Sequence, residues 1–186
     1  LRRLTLNGVA QGDDTALTIV NTFKSLEQAY LRGTSITNAG VDHLSRLETL
    51  TVLTLDGARI DDEVADSIRK MKQLQWLSVE GCAVGDPTVA AVSDCPNLWC
   101  LSLGKTSVTN AGLTELSKLK KLHMVYLTSC KSITDNGVKL LSGLADLEDL
   151  RLNLQDSGIT EKGARQLQRA LPRAQIVWGI PPVALR

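Results

Sequence analysis

Aromatic side chains are nearly missing from this chain. Its 186 residues include one Phe, two Tyr and three Trp: Phe23, Tyr30, Tyr126, Trp76, Trp99 and Trp178. A chain that is 43% hydrophobic with so few rings has to build its core from Leu, Ile, Val and Ala. An excess of charge is missing too. The 21 basic residues face 20 acidic ones, a formal net charge of +1. Nucleic-acid surfaces rest on a basic excess or stripe, so this balance argues against a nucleic-acid partner and gives no reason to expect an anionic membrane. No apolar run approaches the roughly 18–20 residues of a membrane helix, and no signal-peptide pattern opens the chain. No CxxC pair occurs, so the four cysteines carry no zinc or dithiol spacing. There is no initiating Met; "LRRLTL" reads as structure already under way, and the chain is expected to be a piece of something longer.

What the chain does have is a rhythm. The phrase "TSITNAG" at 34–40 returns as "TSVTNAG" at 106–112, 72 residues later. Periods of 20–50 residues signal repeat architectures. A frame of apolar residues at offsets 0, 3 and 5 starts at Leu1, Leu26, Leu50, Leu74, Leu98, Leu122 and Leu147, with a partial copy from Ala174. The intervals are 25, 24, 24, 24, 24, 25 and 27 residues. Offsets 3 and 5 alternate as a strand does. Further on, apolar residues fall three apart (Val41, Leu44, Leu47; Leu113, Leu116, Leu119; Val138, Leu141, Leu144), which suits a short helix with one buried stripe. One aliphatic residue separates the two: Ile36, Ile60, Val84, Val108, Ile133 or Ile159. Each copy therefore reads strand, turn, helix, return.

The segments "LTVLTLDGA" (50–58), "LQWLSVEGC" (74–82) and "LWCLSLGKT" (98–106) carry an LxxLxL motif with a small residue at offset 8. On these residues the chain resembles the leucine-rich repeat family over nearly its whole length. The 24-residue copy with "ITNAGV" looks like the helix-bearing bacterial subtype, close to GALA-type and cysteine-containing repeats. The resemblance implies an α/β fold: a right-handed solenoid of about seven repeats plus a partial C-terminal repeat, with a parallel concave sheet and convex helices. Such arrays bury a continuous core only by stacking. The repeat domain is expected to span residues 1–178, with 179–186 as a tail.

The doubled phrase is then punctuation. Thr37, Thr109, Thr134 and Thr160 precede the helices and suit N-caps, as do Asp61 and Asp86, the latter followed by Pro87. Gly40, Gly112, Gly137 and Gly163 are expected to allow close packing on the neighbouring coil. A phosphate loop would need P-loop glycine spacing and a following Lys-Ser/Thr, which are absent. The first copy is hard to align between Val9 and Leu17. The N-terminal end of the array is expected to be covered by further repeats or another domain.

Cys82 and Cys130 share offset 8 two copies apart, roughly 10 Å at the spacing of parallel strands. A disulfide needs Cα atoms within about 7 Å. Four free thiols are expected, with Cys95 in a buried helix position; unpaired thiols mildly favour a reducing, cytoplasmic compartment. His43 and His123 lie on different copies, read as a solvated helix residue and a strand-edge residue, and no metal or cofactor is implied. Cys100 and His123 sit in adjacent copies but lack an orienting third residue, so no enzyme is expected.

Function is expected on the sheet face left open by offsets 3 and 5. Its columns hold Tyr30, Trp76, Tyr126 and Trp178, four of the six aromatics. Trp, Tyr and Arg dominate interface hot spots, and β-strands also favour aromatics in general. The candidate partner-binding residues are Tyr30, Arg32, Asp56, Trp76, Glu80, Cys100, Met124, Tyr126 and Arg151. The centre of this patch is Trp76, Cys100, Met124 and Tyr126, with Asp56 and Glu80 on one side and Lys105 on the other. Mixed charge suits a protein or peptide. A face of eight strands is roughly 34 Å long. At ~500 Å² it falls short of the ~800 Å² per partner of a stable interface; it suits a peptide or part of a larger surface. The competing readings are a spacer segment of a larger protein, or, by family resemblance, the recognition half of an F-box-type adaptor or a bacterial effector, although no F-box is present.

Overall fold

The computed structural model describes residues 1–9, 12–147 and 149–179. Apart from Gly179, the tail expected at 179–186 lies outside the described residues. Eight three-residue strands form one parallel sheet in chain order: β1 Arg3–Thr5, β2 Gln28–Tyr30, β3 Val52–Thr54, β4 Trp76–Ser78, β5 Cys100–Ser102, β6 Met124–Tyr126, β7 Arg151–Asn153 and β8 Gln175–Val177. From β2 onward each crossover carries an α-helix: α1 Asn38–Ser45, α2 Ala65–Lys70, α3 Asp86–Val92, α4 Leu113–Leu116, α5 Val138–Leu141 and α6 Glu161–Ala170. The first copy carries only 3₁₀ turns, at Asp14–Leu17 and Val20–Thr22. This is the expected solenoid, with a concave parallel sheet, convex helices and the right-handed crossover that parallel strands adopt. The middle residue of each strand points inward; Ala29, Leu53, Leu77, Leu101, Val125 and Leu152 are buried in a single aliphatic core that runs the length of the array.

The sequence frame holds through β6 and then slips. Met124 pairs with Arg151, 27 residues on, and Arg151 with Gln175. The extra residues therefore lie before β7 and not before β8. Leu152 and Leu154, rather than Leu150 and Leu152, take offsets 3 and 5. Arg151 moves from the offset-4 column to offset 2, and Val177 replaces Trp178 at offset 4. The first copy aligns as well: Leu17 and Val20 are buried where α1 places Val41 and Leu44.

The turn phrase joins copies as well as capping helices. Thr37, Thr109 and Thr160 accept from Ala39 N, Ala111 N and Gly163 N through their side chains. The residue after this position, whether Thr, Asp or Gly fills it, reaches forward into the next copy. Asp14 accepts from Thr37 N and Oγ1 at 2.9 and 2.5 Å. Asp86 accepts from Thr109 N and Oγ1 at 2.9 and 2.7 Å. Asp135 accepts from Thr160 in the same way, at 2.8 and 2.6 Å, and Asp62 from Gly85 N and Thr88. Asn38 and Asn110 make the link with Asp61 and Thr134. Two expected caps are thereby corrected. Asp86 lies inside α3 and serves the following copy, while Gly85 precedes the helix without a side-chain cap. Thr134 makes no cap because its hydroxyl is taken by Asn110. The glycines are explained by the same link: a Cβ on Gly40, Gly112, Gly137 or Gly163 would collide with the Asx oxygen arriving from the copy before.

At the N-terminal end Leu4 and Leu6 are only partly buried, whereas their counterparts deeper in the array are sealed. Leu1 is 60% exposed.

Candidate functional site

The strand registers bring offset 2 into one column, Arg3, Gln28, Val52, Trp76, Cys100, Met124, Arg151 and Gln175. Offset 4 forms a second, Thr5, Tyr30, Thr54, Ser78, Ser102, Tyr126, Asn153 and Val177. Each pair of neighbours is one strand spacing apart, about 4.8 Å. The candidate residues divide along these columns.

In the middle of the sheet, Trp76 is half-buried and Tyr126 is 37% exposed, while the Tyr126 hydroxyl reaches Met124 Sδ at 3.6 Å. Cys100 does not belong to the accessible face. It is 2% exposed, and burial pushes its thiol up to about 11, which keeps it protonated and unreactive. Its position beside two larger side chains in the same column explains the covering. Tyr30 stands apart: its hydroxyl contacts Gln28 Oε1 at 3.5 Å and Arg3 lies over its ring at 5.8 Å. Arg32 is exposed, and its backbone N–H is held by Asn7 Oδ1.

The acidic candidates are occupied within the array. Asp56 accepts from the Ser78 hydroxyl and from Glu80 N. Glu80 pairs with Lys105 at 3.0 Å. Lys105 therefore meets the acidic rim and does not flank the patch from the opposite side. The next copies continue this rim with Ser129 and Lys131 both on Asp156. The hydrogen bonds from Lys131 and Ser129 hold the Asp156 carboxyl below the usual range. Along the rim, offset 7 is a left-handed position. It is filled by Gly8, Gly33, Gly57 and Gly81 in the first four copies, and by Lys105, Ser129 and Asp156 after them, at φ 55°, 59° and 55°.

The opposite rim, where the strands begin, holds residues that the sequence reading did not select. Trp99 packs against Trp76, ring centroids 6.3 Å apart and tilted 55°. With His123, Met124, Asp149, Arg151 and Gln175 it lines a concavity of about 500 Å³. Asp149 is a non-glycine residue at φ 53° in the inserted stretch before β7. Among the described residues neither Asp149 nor Arg151 takes part in an ion pair. His123 Nδ1 lies 2.7 Å from Lys121 O. A carbonyl can only accept, so Nδ1 carries a proton. Trp99 was missed because it sits at offset 1, outside the columns that alternation selects. Gln175 was missed because the frame was displaced; that frame put Asp149 in the offset-2 column, whereas the register puts Arg151 there and Asp149 two residues before it.

His43 departs from its solvated reading: it is half-buried, with Nδ1 enclosed and unpartnered. The other three cysteines are also buried and free. Cys82 and Cys130 donate to the carbonyls of Leu55 and Leu103 in the preceding copy, at 3.1 and 3.0 Å. No group of His, Cys, Asp or Glu among the described residues is placed to hold a metal ion. No helix among them is long and apolar enough to cross a membrane.

No family model matches the chain, and no curated protein matches it. Solved structures do. Internalin C2 from Listeria monocytogenes str. 4b F2365 superposes with a TM-score of 0.62 at 19% identity, covering 95% of this chain and 80% of that one. The plant peptide hormone receptor RGFR1, solved in complex with RGF2, gives a TM-score of 0.57 at 18% identity, covering 89% of this chain and 26% of the receptor chain. At such identities the likeness is one of fold, and the fold is the leucine-rich repeat solenoid.

Proposed function

We propose that this leucine-rich repeat domain is a binding module whose concave face holds a peptide or an extended segment of a protein, without catalysis. The observation that carries the reading is the concentration of rings and sulfur on an otherwise aliphatic protein. Trp76 on β4, Trp99 just before β5, and Met124 and Tyr126 on β6 are partly open to solvent. Their places in the stack could be filled by the small residues found elsewhere, as Ser78 and Thr54 show, so the core does not require them. Large rigid side chains of this kind supply contact area at low entropic cost. The receptor with the same fold was solved with a peptide hormone bound, which supports a peptide-sized occupant. The bacterial, GALA-type assignment of the repeats also rests on the 24-residue copy with its "ITNAG" turn. We infer further that the partly open first copy stacks against more repeats or another domain.

The test is selection from a displayed random-peptide library on the folded protein, repeated with Trp76→Ala/Tyr126→Ala. The reading expects a recurrent peptide motif that the double variant binds at least tenfold more weakly, with far-UV circular dichroism unchanged. Selected peptides that bind the variant as well as the parent would refute the concave-face site. Recovery of no motif at all would favour a spacer role.

A further inference from the structure

The concavity at the strand-entry rim has chemistry of its own. Along the sheet rim and the helices, several charged residues neutralise one another: Glu80 with Lys105, Asp156 with Lys131, Asp42 with Lys70 and Arg46. Asp149 and Arg151 do not, although both line the same 500 Å³ hollow. They stand two residues apart, and an extended partner places its own i and i+2 side chains on one side with a comparable spacing. Asp149 holds a left-handed backbone at φ 53°, a conformation that Asp tolerates better than most residues. The chain adopts it within the one copy that is three residues longer than its 24-residue neighbours. Trp99 supplies an aromatic face that attracts a cation, and His123 lines the same hollow. Arg151 and the Gln175 amide supply donors for a carboxylate.

We propose that this hollow binds an extended peptide carrying a lysine or arginine and, two residues on, an acidic residue. The cation is held by Asp149 and Trp99 and the carboxylate by Arg151. The proposal rests on the concave-face reading and makes it specific: the partner is doubly charged and recognised at both charges, not merely apolar. A purely acidic partner would leave Asp149 repelled, and a purely basic one would leave Arg151 repelled.

The experiment uses the full chain and three blocked peptides, Gly-Lys-Thr-Glu-Gly and its two neutralised forms with Gln in place of Lys or of Glu. Binding is read from the Trp99 indole resonance, with Trp99→Phe providing the assignment. The titration is carried to about 10 mM, which registers even millimolar affinity. The doubly charged peptide is expected to bind best, and neutralising either charge to weaken it about fivefold. Asp149→Asn, which keeps a residue tolerant of left-handed backbone, should abolish the preference for Lys while sparing that for Glu; Arg151→Gln should do the converse. No shift of the Trp99 resonance, equal binding of all three peptides, or variants that leave both preferences intact would each overturn the proposal. Library peptides that depend on Trp76 and Tyr126 but ignore Asp149→Asn and Arg151→Gln would also overturn it, while leaving the concave-face reading in place.

Discussion

Gly112 provides the sharpest test of how the copies are joined. It sits at the mouth of α4 with an ordinary helical φ of −62°. Judged on local propensity, replacing it with Ala should stabilise the helix by up to about 1 kcal/mol. The structure predicts the opposite sign. A Cβ there would run into Asp86 Oδ1 and lie 3.1 Å from Asp86 Cγ. That carboxylate accepts from Thr109 N at 2.9 Å and from Thr109 Oγ1 at 2.7 Å. Each bond is worth about 1 kcal/mol net, so displacing the carboxylate costs about 2 kcal/mol and leaves Gly112→Ala destabilised by about 1 kcal/mol. Asp86→Ala should cost about 2 kcal/mol on the same basis. Once the carboxylate is gone, the new methyl meets only Val108 Cγ1 at 3.4 Å, an ordinary contact. The double variant should therefore lose only about 1 kcal/mol, not the roughly 3 of simple addition, a coupling of about 2 kcal/mol. Urea unfolding followed by far-UV circular dichroism gives all four corners of the cycle. Gly143→Ala, whose Cβ would sit 3.5 Å from Ser117 Cβ, is the control and should be neutral or stabilising. If Gly112→Ala matches or exceeds the parent, or the two losses simply add, the inter-copy link does not hold the array as argued.

Three further outcomes are expected. Gly57→Ala should cost about 1 kcal/mol in urea melts, from backbone alone, because its φ is +70° and a Cβ there meets nothing within 4 Å; Lys105→Gly at the equivalent position should be neutral to stabilising. The buried thiols should resist a disulfide reagent at pH 8 and all four should react in guanidinium, since burial pushes Cys82, Cys95 and Cys100 up to about 11 and Cys130 in the same direction. Stability should fall in acid. Lys70 and Arg46 hold Asp42 down at about 2 against an ordinary 3.8, and hydrogen bonds lower Asp61, Asp135 and Asp156. A depressed carboxyl stabilises the fold above its unfolded value and loses that effect as pH falls through the folded one. The urea midpoint should therefore decline from about pH 4 towards 2, and less steeply in Asp42→Asn.

The array was legible in the sequence because its core is written in one residue class at fixed spacing. Strand, turn and helix follow from the period change between Leu53 and Ile68, and the registers of β1 to β6 follow from it too. The last copies misled because "LEDLRLNL" offers two overlapping frames, one on Leu147, Leu150 and Leu152 and one ending on Leu152 and Leu154. Apolarity cannot choose between them; Leu150, Leu152 and Leu154 are all buried. The deciding signal lies downstream. From offset 5 to the turn aliphatic is five residues in most copies, as in Leu31 to Ile36, and Leu154 to Ile159 keeps that count. Ser157 then donates to Leu154 O as Thr34 does to Leu31 O. The site was legible only in part. Alternation finds Trp76, Met124 and Tyr126, but it cannot show that Cys100 is roofed over, or that Trp99 and Asp149, off the strand columns, share a hollow. Those depend on side-chain reach across copies, which spacing along one copy does not encode.

The forward-reaching Asx has a consequence for how such a protein can change size. Compatibility between neighbouring copies is decided at the mouth of the helix, where an Asp meets Gly or Thr (Gly40, Thr88, Gly112, Gly163) and Asn38 meets Asp61. Removing the two copies between would set Asn38 against Thr109 and Gly112, the match Asn110 already makes with Thr134 and Gly137. Whole units can thus be excised or inserted at matching joints without inventing new contacts. The length of the parallel sheet becomes a quantity that recombination adjusts in steps of one strand, independently of the substitutions that set which side chains it displays.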